Sequence, residues 1–187
     1  MPTQTFAAKP EASEHDPYYS RYISQVSTDD ILKYLEQQGR EFADGLSRLS
    51  DSESNFRYAS GKWSVKEVLG HVCDTERIFA YRALRISRGD ETPMEGFEQD
   101  DYVRGGPFRH CSWTALVDEF RTVRAASLSL LRNLDEDEWL RRGVANKKEV
   151  SVRALAWILA GHVDHHRSIL EARYHLVVNP RKSADTA

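Results

Sequence analysis

Four long stretches of this 187-residue chain repeat apolar side chains at helical spacing, and no stretch alternates them long enough to predict a strand. That pattern confines the chain to all-α packing, in which each helix hides one stripe against its neighbours. The first pattern runs from Thr28 to Leu49, with Ile31, Leu35, Phe42, Leu46 and Leu49 on its inner side. Ser27 or Thr28 is its expected cap, and Asp29 and Asp30 suit the positive end of its dipole. The second starts at Ser64, where Ser64-Val65-Lys66-Glu67 forms a capping box, and runs to Arg88 before the stop at Gly89. The third follows Ser112 and runs to Leu134; the fourth follows Ser151 and runs to His175. A short helical turn is expected at Asp135 to Trp139.

The link from Gly89 to Cys111 holds Pro93, Gly96, Gly105, Gly106 and Pro107. Antiparallel neighbours need only about 2–8 residues to join, so a link of this length predicts a crossover. Residues 1–16 and 179–187 show no apolar period and are expected to be flexible tails around one domain at 17–178.

Charge and cysteine content exclude several functions. Lys and Arg total 26 and Asp and Glu 29, a net charge of −3, so the basic excess of a nucleic-acid binder is absent. No apolar run approaches the ~18 residues of a membrane span. Cys73 and Cys111 make no disulfide framework and no CxxC pair, which points to the reducing cytoplasm. Neither cysteine has a nameable His and acid partner, and no glycine-rich phosphate loop occurs.

Three of the seven histidines fall within Gly161-His162-Val163-Asp164-His165-His166. On a helical wheel His162 and His166 lie one turn apart in the apolar stripe with Leu155, Ile158, Leu159, Ile169 and Arg173, and His165 lies on its flank. Unpaired buried imidazoles are costly, so something must satisfy their nitrogens. Two readings fit: core histidines with hydrogen-bond partners, or an i, i+4 metal-binding pair that needs a third ligand from another helix. His71, on the edge of the second helix's apolar arc, is available. Cys73 lies about 200° further round that helix, so it cannot share an ion with His71. His15, His110 and His175 are expected in solvent.

Gly61-Lys62-Trp63-Ser64-Val65-Lys66-Glu67-Val68-Leu69-Gly70-His71 resembles the second-helix signature of the DinB/YfiT-like metalloprotein superfamily, and Gly161 to His166 resembles its fourth. Asp74-Thr75-Glu76-Arg77, Tyr81 to Arg85 and Arg88-Gly89-Asp90 are similar to one subgroup of that family. The resemblance spans Tyr18 to Tyr174 and implies an up-down-down-up four-helix bundle. It also implies one divalent ion, zinc or nickel, on His71, His162 and His166. Relatives divide between enzymes that use a low-molecular-weight thiol, such as bacillithiol or mycothiol, and candidate hydrolases.

Three neutral imidazoles leave an open position on such an ion, the arrangement of a catalytic site. The expected activity is therefore metal-dependent, either S-transferase-like with a thiol cosubstrate or hydrolase-like, on a small-molecule substrate. A non-catalytic metal-stabilised stress-response or binding protein is the alternative; a homodimer through helix faces would suit either. Catalytic residues are not assigned. Asp74 and Asp164 are candidates to orient an imidazole, Arg82 and Arg85 to receive an anion, and the loop with Asp100, Asp101 and Tyr102 to wall the pocket. Metal binding is expected to weaken between about pH 6.5 and 5, where free histidine takes up a proton.

Overall fold

The computed structural model describes residues 5–178, and the account below concerns these. In chain order the helices are α1 (Ser20–Ile23), α2 (Ile31–Leu46), α3 (Asp51–Ser54), α4 (Val65–Ser87), α5 (Gln99–Gly105), α6 (Trp113–Arg132), α7 (Glu136–Leu140) and α8 (Val152–Tyr174). Between α7 and α8 lie two short strands, β1 (Arg142–Ala145) and β2 (Lys148–Ser151).

The long helices begin where side chains can take up their free N–H groups. Ser64, Ser112 and Ser151 accept hydrogen bonds from Glu67, Ala115 and Ala154. The first begins later than its cap residues suggest: Asp30 accepts from Lys33 N, while the Thr28 hydroxyl is engaged with Asp30. Helix α4 ends at Ser87, and Gly89 turns the chain away at φ +74°, a conformation that favours glycine.

Side-chain ties give the directions. Trp113, at the start of α6, donates from Nε1 to Leu46 O at the end of α2, so these two helices are antiparallel. Tyr174, at the end of α8, donates from its hydroxyl to Trp63 O just before α4, so that pair is antiparallel as well. Arg77 of α4 pairs with Glu119 of α6, and Arg109 ahead of α6 reaches Glu67 near the start of α4; α4 and α6 therefore run the same way. The result is an all-α, up-down-down-up bundle with α2 and α4 on one diagonal. Parallel α4 and α6 oblige residues 88–112 to return along the bundle, which is the crossover that the loop length predicts.

One buried network joins all four helices. Arg124 of α6 meets both carboxylate oxygens of Glu76 on α4, at 2.7 and 2.9 Å. Its third nitrogen donates to Leu35 O and Gln38 Oε1 on α2, and Gln38 donates to Ala160 O on α8. The Arg124 and Glu76 side chains are only 4% and 2% exposed.

Several sequence expectations need correction. The strands make an antiparallel hairpin whose turn, Asn146-Lys147, has positive φ at both residues. Four-residue strands are too short to show alternation, and Asn146 was the available signal. Residues 5–16, expected to be part of a flexible tail, lie against the bundle instead. Trp157 Nε1 donates to Ala7 O, and Glu14 accepts from Ser151 and Arg153. Burial works against the Glu14 charge, yet Arg153 and Ser151 hold its carboxyl down to about 2. This segment docks through isolated anchors, so no period announces it. Residues 1–4 and 179–187 lie outside the described residues.

The wheel also misplaced side chains. Cys73, which the wheel sets off the apolar arc of its helix, is buried in a cluster with Phe42, Leu116 and Val117, because α4 is covered by α6 on one side and α8 on the other. Arg173 is exposed, and Leu170 and Tyr174 take the inner positions near the end of α8. His15 is buried, with its Nδ1 3.0 Å from Asp16 O, whereas His110 and His175 are exposed as expected.

Glu76→Ala should destabilise the fold by about 3–5 kcal/mol in urea denaturation, because it strands a buried guanidinium. Glu76→Leu combined with Arg124→Met should recover most of that loss. A double variant no better than the single one would show that the network acts other than through the unpaired charge.

Candidate metal centre

The three histidines of the sequence analysis come together. His71 projects from α4, and His162 and His166 project from successive turns of α8. All three are buried, at 3%, 5% and 8% exposure. His162 Nε2 lies 3.1 Å from His71 Nε2 and 3.1 Å from His166 Nε2. One donor atom from each ring falls within a 4.8 Å group.

This arrangement cannot be satisfied by the rings alone. A neutral ring nitrogen is either an N–H or a lone pair, so His162 Nε2 can serve one of its neighbours but not both. Three lone pairs turned toward a common cation remove the conflict. Two nitrogens bound to tetrahedral zinc at about 2.1 Å stand roughly 3.4 Å apart, close to the spacing seen here. The donor set therefore fits one divalent ion.

Surrounding groups hold the rings in place. Thr75 Oγ1 stands 3.5 Å from His71 Nδ1, a long contact that favours Nδ1–H and an inward Nε2 lone pair. The Trp63 ring packs on His71 at 5.0 Å, and Tyr22 meets His162 edge-on at 5.6 Å. Tyr22 reaches this position because α1 crosses close to α8: a Cβ on Gly161 would stand 2.1 Å from Tyr22 O. His166 Nδ1 is buried without a hydrogen-bond partner among the described residues. His165 is half-buried between the Tyr22 and His166 rings and lies outside the converging group.

Burial pushes the His71 imidazole down to about 4, with the nearby His165 adding to the effect. Burial likewise holds His162 and His166 well below the usual histidine range, helped by the other imidazoles. Burial thus favours the neutral form of all three rings, the form that can ligate a metal. A folded site keeps its lone pairs to a lower pH than free histidine does.

His71 and His162 line a cavity of about 450 Å³. Tyr19, Tyr22, Phe79 and Phe97 give it aromatic walls, and Arg82, Asp16 and Lys148 give it charge. The crossover supplies Gly96 to Gln99, and the hairpin supplies Ala145, Asn146 and Lys148. Two backbone hydrogen bonds, Met94 N to Val144 O and Asn146 N to Met94 O, pin these two walls together. Asp100, Asp101 and Tyr102, expected to line the pocket, lie in α5 beyond its edge, with Tyr102 packed on Phe97. Neither acid expected to orient an imidazole does so. Asp164 accepts from Tyr34 and pairs with Arg167, and Asp74 pairs with Arg77. Arg85 pairs with Asp90. Tyr19, Tyr22 and Asn146 were missed in the sequence; the aromatic-rich Tyr18-Tyr19-Ser20-Arg21-Tyr22 was the available clue to the first two.

The model of the DinB superfamily matches residues 34–170. The chain belongs to this superfamily. It is 24% identical over 147 residues to a candidate metal-dependent hydrolase of Oceanobacillus iheyensis, covering 76% of this chain and 84% of that protein. It is 23% identical over 157 residues to YfiT of Bacillus subtilis, also named for metal-dependent hydrolysis, covering 77% and 82%. The solved YfiT structure, described as a four-helix bundle of unusual topology, matches with a TM-score of 0.69 at 17% identity, over 90% of this chain and 94% of YfiT. A mycothiol-dependent maleylpyruvate isomerase matches with a TM-score of 0.64 at 16% identity; the match takes in 78% of this chain but only 61% of that enzyme. These structural matches establish the shared fold. Among the described residues no helix is long and apolar enough to cross a membrane.

Two predictions follow from the centre. His162→Ala and His166→Ala should each abolish stoichiometric divalent metal in elemental analysis of the purified chain, whereas His165→Ala should keep it; a full equivalent in either of the first two would refute the assignment. In metal-free protein the unfolded chain takes up protons below pH 6.5 that the folded centre refuses. Stability should therefore fall as pH drops from 6.5 toward 4, by about 3 kcal/mol from His71 alone. Urea denaturation at pH 7 and pH 5 checks this, and equal midpoints would contradict it.

Proposed function

We propose that this DinB-superfamily chain is a metal-dependent enzyme that acts on a small molecule with a low-molecular-weight thiol as cosubstrate. The observation that carries the reading is the convergence of three imidazole nitrogens, two of them on rings that line a cavity of substrate size. His71, His162 and His166 would hold the ion, and three imidazoles suit zinc or nickel. Such an ion supplies Lewis acidity, lowering the pKa of a thiol or water at its open position.

The chain's own residues favour a thiol brought from outside. Cys73 is fully buried in the apolar cluster, and burial pushes its thiol far above the usual range. Neither Cys73 nor Cys111 lines the cavity. No carboxylate belongs to the converging donor group, so the three neutral rings leave a bound ion its full charge. Thr75 and Trp63 fix the orientation of His71. The fold shared with an isomerase named for its dependence on mycothiol supports the same reading.

Cobalt substitution tests it. Titrating a small thiol into the cobalt-loaded chain should produce a sulfur-to-cobalt charge-transfer band, and that band should be absent in His166→Ala. No band at millimolar thiol, together with thiol-independent turnover of an ester or amide, would transfer the case to the hydrolase named for the sequence relatives.

A further inference from the structure

The cavity holds a second polar feature that the histidines do not use. Arg82 lies on the same face of α4 as His71, Thr75 and Phe79, and all four line the cavity. Eleven residues of helix turn it only about 20° from His71 but place it roughly 16 Å further along the axis. It is 3% exposed. Its Nη2 donates to Glu95 O at 2.8 Å, its guanidinium lies over the Phe79 ring at 5.4 Å, and the Tyr19 hydroxyl is nearby.

No carboxylate comes within ion-pair distance of Arg82 among the described residues. The contrast with buried Arg124 and half-buried Arg153 is direct: Glu76 meets Arg124 with both oxygens, and Glu14 meets Arg153. A guanidinium does not shed its proton, so the charge stays in place, and an uncompensated buried charge is costly. Burial works against this charge, and the Tyr19 phenol is the group that favours it. The nearest acids of the cavity are engaged or peripheral. Asp16 takes Tyr18 N and the Lys148 ammonium, which neutralises the rim lysine, and Glu98 is exposed at the start of α5.

We propose that Arg82 is an anion-binding residue: it receives the carboxylate of an extended ligand whose reactive group sits at the histidine centre. The proposal rests on the reading of that centre as the reaction site. That axial separation calls for an extended molecule rather than a short acid. The Tyr19, Phe79 and Phe97 rings between and around the ends suit an apolar or sugar-like connecting segment. Whether the carboxylate belongs to the thiol or to its acceptor, the chemistry recognised is the same.

Titration calorimetry with ω-mercaptoalkanoates and the ω-mercaptoalkanols of equal length, up to about ten carbons, tests the proposal on metal-loaded and metal-free chain. In the wild type the longer acids should bind at least tenfold more tightly than the matching alcohols, and short acids should show no such preference. Arg82→Gln should reduce the preference below twofold while metal content stays at the wild-type level. Equal affinity of acid and alcohol in the wild type, or a preference that survives Arg82→Gln, would overturn the proposal. If the glutamine variant does not fold, Arg82→Lys replaces it: a preference cut at least threefold supports the forked contact, and an undiminished one refutes it. The metal-free arm separates the two readings. A chain that binds no metal refutes the proposed function, while acid selectivity in that same chain still reports on Arg82.

Discussion

Arg124 sets the register on which the histidine cluster depends. Its guanidinium is satisfied only when α4 presents Glu76, α2 presents Leu35 O and Gln38, and α6 lies between them. Gln38 then extends the network to Ala160 O on α8, two residues before His162. A shift of any helix by one residue would strand a buried charge or a buried amide, whereas apolar contacts alone would tolerate such sliding. The same alignment brings His71 and His162 to 3.1 Å, since Glu76 and His71 share one helix and Ala160 and His162 another.

The topology explains why the centre has a cavity beside it. Parallel α4 and α6 need a long return, and that return does not merely connect. It is tied by backbone hydrogen bonds to the hairpin before α8, and the two together wall one side of the site. The segment before α2 completes the opposite side with Tyr19 and Tyr22, drawn close by the absence of a side chain at Gly161. Elements outside the four helices thus decide the shape of the pocket, while the helices decide where its donor atoms stand.

The polarity of the cavity is uneven in a way that bears on function. At one end His71 and His162, backed by His166, belong to a neutral three-imidazole group, and at the other a buried guanidinium presents N–H groups. Burial lowers the proton affinity of both, but with opposite consequences. The histidines respond by remaining neutral and available to a cation, whereas the arginine remains charged and available to an anion.

The sequence by itself determined the four helices, the serine caps of the last three, the glycine stop after the second, the crossover, and the placement of His162 and His166 on one face. These are short-range properties: a cap bonds within three residues, and an i, i+4 pair is set by the helical pitch. The motifs around His71 and His162 also carried the family resemblance that pairs α4 with α8. The hairpin, the docked residues 5–16, the burial of Cys73 and the lone guanidinium of Arg82 were decided by tertiary structure. Each depends on what a distant segment places opposite it. Trp157 is what gives Ala7 its anchor, α6 and α8 together cover α4 around Cys73, and the missing partner of Arg82 is defined only by where every acid of the described chain ends up. Periodicity reads one helix at a time, and a charge without a counter-charge is a property of the assembled whole.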